Sequence, residues 1–245
     1  MDQRWLALEG VFNCRDLGGL PCRDGRVTPS GRLFRSGALH GVTSRGVREI
    51  RARGIATVID LRSRDEIAYT GYGRLTDSGA RVVEAADVDG SPPEADRAMV
   101  VETTHLDDVY WNYLTVGAPL FVRAFAELGR RETYPAVVSC FFGKDRTGVL
   151  VAMVLSCLGV ETEAIVADYA LSASQMDATV ERLRRDSVYR ETLDQTPTWR
   201  LSARPATMRS LLQRVDSHFG GAREWALRSG VSTAHLEGLQ SALLE

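Results

Sequence analysis

Short apolar runs alternate with amphipathic stretches along most of the chain, which is the pattern of a sheet whose strands are covered by helices. Residues 55–62 are mostly β-branched and end in an acid and a base, and residues 135–139 form a second apolar run too short for a helix. Residues 81–86 are a further candidate strand. The predicted fold is therefore α/β, with a central, mostly parallel sheet flanked by helices.

Helical periodicity covers much of the remaining sequence. A helix predicted over 43–53 begins with a Thr or Ser cap and stops at Gly54, and residues 63–66 can open a short helix. The other predicted helices span 114–128, 149–158, 161–173, 206–219 and 222–244, with breaks at Gly220-Gly221 and at Gly230. Residues 87–108 are acidic and contain Pro and Gly, which predicts a long loop of the kind that is usually functional or mobile.

The composition is that of a globular protein with one substantial core, since 44% of the 245 residues are hydrophobic. We expect a single domain over residues 1–245. The formal net charge of −2 predicts neither nucleic acid nor an anionic membrane as a partner. No stretch approaches the roughly 18 apolar residues of a membrane span, and the N-terminus has no apolar run of signal-peptide length, so we expect a cytoplasmic protein.

The cysteines show neither a CxxC pair nor zinc-like spacing with the histidines. They are Cys14, Cys22, Cys140 and Cys157. Free thiols in a reducing compartment are the expected state, and Cys14 is one candidate for a resolving thiol if Cys140 is oxidised.

The stretch from Cys140 to Gly148 reads Cys-Phe-Phe-Gly-Lys-Asp-Arg-Thr-Gly and joins the predicted strand 135–139 to the predicted helix 149–158. This order of elements aims the backbone N–H groups of residues 141–147 into one small bowl at the positive end of the helix dipole, which favours an oxyanion such as phosphate. The dipole and the Arg146 guanidinium both favour thiolate over thiol at Cys140, which would make its sulfur a nucleophile.

The Cys-x5-Arg spacing, with Gly143 and the Arg-Thr-Gly ending, resembles the phosphate loop of the protein tyrosine phosphatase superfamily. Further segments resemble motifs of a bacterial and fungal subgroup, the tyrosine/serine phosphatases of the triple-specificity kind. These segments are Asn13 to Gly19 (Asn-x-Arg-Asp-x-Gly-Gly), Arg35-Ser36-Gly37 and Asp168 to Ser172. The resemblance implies a tyrosine or dual-specificity phosphatase-like fold, with a helical lid over about 172–205 and C-terminal helices.

The loop predicts hydrolysis of a phosphate monoester in two displacements, with no metal and no cofactor. Cys140 would attack phosphorus, Arg146 would bind two nonbridging oxygens, and Thr147 would donate its hydroxyl to the sulfur. Substrate would also be bound by Arg62 and by the loop N–H groups, among them those of Phe141, Phe142, Gly143 and Lys144. Lys144 could in addition reach a second phosphate or a carboxylate. The substrate could be a phosphoprotein, a phosphoinositide or a small phosphorylated metabolite.

The leaving alkoxide needs a proton, and several aspartates are candidates for the general acid. Asp60 ranks first, because it ends a strand at the sheet edge where Cys140 and Arg62 are also expected. Asp145, within the loop, ranks second. Asp107 and Asp108 rank third, since many members of the superfamily carry the acid on a mobile loop about this far upstream of the cysteine. Each can instead be a structural ion-pair partner, Asp60 with Arg62 or Arg15 for example.

Two departures from the family pattern bear on function. Ser139 stands where histidine is usual before the cysteine, which weakens the usual support for the thiolate. Phe141-Phe142 replaces smaller or polar residues, and the pair either packs the loop against its surroundings or forms an apolar wall for a substrate. The charged segment 176–193 is either a solvated helix face or part of the lid, with some arginines meeting a second anionic group.

Other functions remain open at this stage. Cys140 could be a buried structural cysteine, or the loop could belong to a rhodanese-like sulfur carrier. A phosphate-binding module with little turnover is a further alternative, with Ser139 as its symptom.

Overall fold

The computed structural model describes residues 2–86, 103, 105–184, 193–194 and 196–244. Within them, five strands form one sheet, in the spatial order β1-β2-β5-β3-β4. The strands are β1 (Arg15–Asp16), β2 (Leu33–Ser36), β3 (Thr57–Asp60), β4 (Arg81–Glu84) and β5 (Ala136–Ser139). All neighbours pair in parallel except β1, which is antiparallel to β2. The predicted mostly parallel sheet is confirmed.

In the described ranges, helices cover the sheet, and further helices follow its last strand. They are α1 (Ser44–Ala52), α2 (Arg64–Thr70), α3 (Leu106–Thr115), α4 (Ala118–Leu128), α5 (Asp145–Cys157), α6 (Thr162–Ala170), α7 (Ala173–Arg184), α8 (Thr198–Leu201), α9 (Pro205–Phe219), α10 (Ala222–Ser229) and α11 (Thr233–Leu244). Short 3-10 turns lie at Leu39–Gly41, Gly73–Ser78 and Arg131–Thr133.

The two faces of the sheet carry two separate apolar layers, as expected when helices cover both sides of parallel strands. The larger layer contains Ile59 and Val138 and surrounds α5, whose residues from Val149 to Leu155 are all buried. The smaller layer contains Val58 and Val137 and packs under α1. Successive strand residues alternate between the layers, so the sequence position of a side chain fixes which face it occupies.

Cys14 and Cys140 lie in different layers. Cys140 belongs to the larger layer and Cys14 to the smaller one, with Cys14 fully buried. Burial raises the pKa of the Cys14 thiol to about 12. Both features disfavour Cys14 as the resolving thiol.

The predicted helix over 114–128 is wrong in its extent. Two helices are present, α3 from Leu106 and α4 from Ala118, separated at Val116 and Gly117. Pro119 lies in the first turn of α4, where its missing N–H costs nothing and where a new helix readily begins. Asp107 and Asp108 therefore occupy the first turn of α3 and not a loop, while residues 87–102 of the predicted loop lie outside the described residues.

The predicted helix ends at glycines are confirmed. Gly220 ends α9 and Gly230 ends α10, both in the left-handed conformation that glycine adopts without strain. At the other end of the chain, the Thr43 hydroxyl caps α1 by accepting the N–H of Gly46 at 3.3 Å.

Candidate active site

The loop from Cys140 to Lys144 joins β5 to α5 and lies at the carboxyl end of the sheet, with β2 and β3 on either side of β5. Its carbonyl groups are bound from outside the loop. The carbonyl of Phe141 accepts the N–H of Ala38 at 3.1 Å, and those of Phe142 and Gly143 accept Asn13 Nδ2 at 3.1 and 2.9 Å. By contrast, the backbone N–H groups of residues 142–147 donate to no other group in the part of the chain that the structure describes. The loop carbonyls are thus bound from outside, while the N–H groups of residues 142–147 are uncommitted at the start of a helix, which is an anion-binding arrangement.

Gly143 allows the loop to pass close to the end of β2. Its φ is +66°, and a Cβ added there would lie 2.5 Å from the backbone carbon and oxygen of Ser36. The Gly143 carbonyl also accepts a hydrogen bond from Arg35 at 2.9 Å. Any side chain at this position would force the loop away from β2.

Cys140 lies at the end of β5, is a free thiol and is 2% exposed. Thr147, in the first turn of α5, is fully buried, and its hydroxyl has no hydrogen-bond partner among the described residues. The expected Thr147 bond to sulfur is therefore not formed in this structure. A buried hydroxyl without a partner is unfavourable. The Thr147 hydroxyl is therefore able to donate a hydrogen bond to a group bound in the site.

Arg146 is held in place by Glu66, which the sequence analysis placed only at the start of a short helix and not in the site. The guanidinium donates to both carboxylate oxygens of Glu66, at 2.6 and 2.7 Å, and to the carbonyl of Leu61 at 3.0 Å. Burial acts to lower the pKa of Arg146, but the Glu66 charge outweighs it and holds that pKa above its ordinary value. Glu66 also accepts the N–H of Ser63 in the capping box of α2, and this Ser-x-x-Glu pattern directly after a strand was the signal available in the sequence.

Asp60 and Arg62 form a buried ion pair at the end of β3. Asp60 accepts the Arg62 N–H at 3.0 Å, and the closest contact between the two side chains is 2.7 Å. Arg62 is bound further by Thr70 Oγ1 at 2.5 Å and lies 5.4 Å from the Tyr72 ring centroid. Asp60 is also in register with Ser139, so it shares the sheet face opposite that of Cys140. These contacts give Asp60 and Arg62 the structural pairing that the sequence left as an alternative.

Asp145 is the first residue of α5, and its side chain is 22% exposed. Its Oδ1 accepts the Tyr110 hydroxyl at 2.7 Å and lies 3.1 Å from Lys144 Nζ. Lys144 itself is fully buried, and its ammonium donates to the carbonyls of Arg200 and, at 3.0 Å, Ser202. The Lys144 side chain therefore ties the loop to the segment around α8 and does not extend from the surface.

The three motif segments 13–19, 35–37 and 168–172 meet beneath the loop. Asp168 of α6 binds Arg15 at 3.0 Å, Arg35 at 2.7 Å and Arg4 at 2.9 Å. Burial acts to raise the pKa of Asp168, but Arg15 and Arg35 outweigh it and lower that pKa to about 2. For Arg15, burial and the neighbouring Arg35 charge lower the pKa to about 10. Arg35 also donates to the Gly143 carbonyl, so the buried ion pair with Asp168 helps to hold the loop in place.

The Phe141-Phe142 pair contacts the helix of the expected lid. The two rings are 5.2 Å apart in a T-shaped arrangement, and Phe142 packs against a small cluster that contains Met176 and Val180 of α7. Arg182 of α7 donates to the Gly10 carbonyl at 2.8 Å. Arg185 and Arg190 of the charged segment lie outside the described residues. Packing of the loop, one of the two predicted alternatives, is thus present for Phe142.

A free cysteine at the end of a central parallel strand, followed by a loop of uncommitted N–H groups and a carboxylate-held arginine, defines a phosphatase of the cysteine-dependent class. The model of the tyrosine phosphatase family matches residues 6–245. The chain belongs to that family, whose members are cysteine-based phosphatases. The resemblance predicted from the motifs is confirmed.

Relatives align over most of the chain. The triple specificity protein phosphatase PtpB of Mycobacterium tuberculosis is 28% identical over 275 aligned residues, which cover 97% of this chain and 98% of the relative. A tyrosine-protein phosphatase of Nostoc commune is 24% identical over 230 residues, covering 88% of this chain and 75% of that protein. Among the described helices, none has the length and hydropathy needed to cross a bilayer.

Proposed function

We propose that this chain hydrolyses phosphate monoesters through a cysteinyl-phosphate intermediate, with Cys140 as the nucleophile. The observation that supports this most is the phosphate loop itself, in which carbonyls are bound from outside and the N–H groups of residues 142–147 are uncommitted. Arg146 adds a fixed guanidinium at the same helix start. Such preorganised donors stabilise the charge of a transferring phosphoryl group.

In the first step, a lone pair of the Cys140 thiolate forms the S–P bond while the P–O bond to the leaving group breaks. The electron pair of that bond goes to the leaving oxygen, which takes a proton from the general acid. In the second step, water attacks phosphorus and gives its proton to the same carboxylate, and the S–P bond breaks to regenerate the thiolate. Thr147, with its unpartnered hydroxyl, would donate to sulfur as the thiolate leaves.

Asp145 is the preferred general acid in this proposal. The Asp145 carboxylate is partly exposed at the N-terminus of α5. Asp60, by contrast, is 2% exposed and is paired with Arg62 on the other face of the sheet. Asp107 and Asp108 lie in a helix, and Asp108 pairs with Arg214 at 3.4 Å. Asp60, paired with Arg62, remains the alternative.

Phosphotyrosine protein or a phosphoinositide-like molecule is the proposed substrate class. The relatives described above, a triple specificity protein phosphatase and a tyrosine-protein phosphatase, support this class. A specialised metabolite such as a nucleotide or sugar phosphate is the alternative, supported by the aromatic pair Phe141-Phe142 at the loop. The segment of about 172–205 would act as a lid, and the reducing cytoplasm would protect the Cys140 sulfur from oxidation.

Hydrolysis of p-nitrophenyl phosphate by the wild type and by Cys140→Ser tests the proposal. Turnover that disappears in the variant while vanadate still binds supports the enzyme. Vanadate binding without turnover in either protein would instead indicate a phosphate-binding module, and sulfur transfer from thiosulfate to cyanide would indicate a sulfur carrier. Acid quenching of Asp145→Asn and Asp60→Asn during turnover, followed by mass analysis of the Cys140 peptide, would detect the cysteinyl-phosphate. The variant in which it accumulates would identify the carboxylate that takes the proton of water in the second step.

A further inference from the structure

Two buried tyrosine hydroxyls lead to the carboxylate of Asp145. Tyr110 on α3 and Tyr169 on α6 are 0% and 1% exposed, and their hydroxyl oxygens are 2.7 Å apart. The Tyr110 hydroxyl is also 2.7 Å from Asp145 Oδ1. The chain of contacts therefore runs from Tyr169 to Tyr110 to Asp145, across three helices.

The hydrogens in this chain can be assigned by chemistry. An ionised carboxylate only accepts, so the single hydroxyl hydrogen of Tyr110 points to Asp145, and Tyr169 must then donate to Tyr110. Burial, reinforced by the Asp145 charge, raises the pKa of Tyr110 well above its ordinary value, and burial likewise raises the pKa of Tyr169. Both phenols consequently remain donors at any pH at which the protein would work.

This arrangement distinguishes the two oxygens of Asp145. Tyr110 and Lys144 both contact Oδ1, and Oδ2 has no hydrogen bond among the described residues. When Asp145 takes up a proton, Oδ1 already faces two donors, so the proton is placed on Oδ2. Because the Tyr169 ring packs against Gly148, where an added Cβ would lie 3.0 Å from the ring, the same chain is fixed to the end of the phosphate loop.

We infer that Tyr110, supported by Tyr169, is a positioning residue that fixes the orientation of Asp145 and places its transferable proton on Oδ2. The inference rests on the proposed function, in which Asp145 protonates the leaving oxygen. It assigns a role in positioning the general acid to a residue 35 positions upstream of it.

Tyr110→Phe removes the hydroxyl and keeps the ring, and a series of aryl phosphates reports on the acid. A poor leaving group such as phenol needs the proton, whereas 4-nitrophenol needs it much less. We expect kcat/KM to fall about tenfold for phenyl phosphate and less than about twofold for 4-nitrophenyl phosphate, the loss of one charge-assisted hydrogen bond acting through Asp145. Tyr169→Phe, which leaves the Tyr110 bond in place, should give a smaller change of the same kind.

Tyr134→Phe is the matched control, since its buried hydroxyl donates to the Leu128 carbonyl at 2.6 Å, outside this chain of contacts. It should not change the dependence on the leaving group. In an Asp145→Asn background, Tyr110→Phe should have no further effect on that dependence. An equal loss for all leaving groups, or a full additional loss in the double variant, would overturn the inference. Activity that survives Cys140→Ser would instead refute the proposed function.

Discussion

The guanidinium of Arg146 and the carboxylate of Glu66 form two parallel hydrogen bonds of 2.6 and 2.7 Å. Burial acts to raise the pKa of Glu66, but Arg146 and the N–H of Ser63 outweigh it, and the pKa is lowered overall. The pair is thus ionised at neutral pH. It fixes the plane of the Arg146 guanidinium, which is proposed to bind the phosphoryl oxygens, through a residue 80 positions upstream.

Glu66→Gln should reduce kcat/KM by about tenfold to a hundredfold. The amide can accept only one of the two hydrogen bonds and turns an NH2 group toward the guanidinium, so a charge-assisted contact is lost. Steady-state kinetics with p-nitrophenyl phosphate measures the effect. Asp65→Asn, an exposed neighbour on α2, is the control and should retain wild-type rates. Unchanged kinetics of Glu66→Gln would show that Arg146 does not need this support.

Gly143→Ala should abolish phosphate binding. Its Cβ would lie 2.5 Å from the backbone of Ser36, and that contact adds to the strain of a φ of +66°. Gly54→Ala is a matched control, because Gly54 has a φ of +63° but no neighbour within 4 Å of an added Cβ. The control should cost only about 1 to 2 kcal/mol of stability, the penalty of the left-handed conformation alone. Calorimetric titration with vanadate and thermal unfolding separate the two effects, and equal behaviour of the two variants would contradict the argument.

Asp168→Asn should destabilise the protein by about 3–5 kcal/mol, since it leaves buried arginines without their counter-ion. In the wild type, the pKa of Asp168 is lowered from 3.8 to about 2. A lowered folded-state pKa contributes stability above the unfolded value, and this contribution of about 2 kcal/mol is lost as the pH falls from about 4 to about 2. Urea unfolding across that pH range should show a loss of stability that is smaller in Asp168→Asn than in the wild type by about this amount, because Glu66 and other paired carboxylates are still protonated there. The exposed Asp77→Asn should follow the wild type.

Lys144 is the only lysine of the chain, so its environment can be measured with an amine reagent. Because its ammonium is buried against the carbonyls of Arg200 and Ser202, trinitrobenzenesulfonate should label the native protein at the N-terminus and reach Lys144 only after unfolding. Peptide mass analysis identifies the site. Rapid labelling of native Lys144, suppressed by phosphate, would instead support the role in substrate binding that the sequence predicted.

Lys144→Met should increase local unfolding of the segment around α8, because the hydrogen bonds to the Arg200 and Ser202 carbonyls are lost. Tryptic cleavage after Arg200 is the measurement, since the Lys144 contact to the Arg200 carbonyl is lost. We expect cleavage to be faster than in the wild type by about tenfold. Cleavage after Arg209, which pairs with Glu163 on α6 and does not contact Lys144, provides the internal control.

The sequence by itself determined the loop from Cys140 to Gly148 and its place between a strand and a helix. Cys140, Arg146 and the glycines lie within nine residues between a β-branched run and a helix, and contacts this local follow from spacing and propensity alone. The helix ends at Gly220 and Gly230 were also predictable from the sequence, because a glycine in the left-handed conformation ends a helix without needing any distant contact. The single helix expected over 114–128 failed because its apolar periodicity continues through the turn at Gly117.

Only the tertiary structure decided which charges meet. Arg35 reaches Asp168 across 133 residues, Lys144 reaches Arg200 across 56, and Tyr110 reaches Asp145 across 35. Asp60, the first choice for the acid from its place at a strand end, is instead paired with Arg62 on the opposite face of the sheet from Cys140. Residue type and spacing cannot select one partner among many arginines and aspartates, because that choice depends on strand register and helix packing, which bring distant side chains within hydrogen-bond distance.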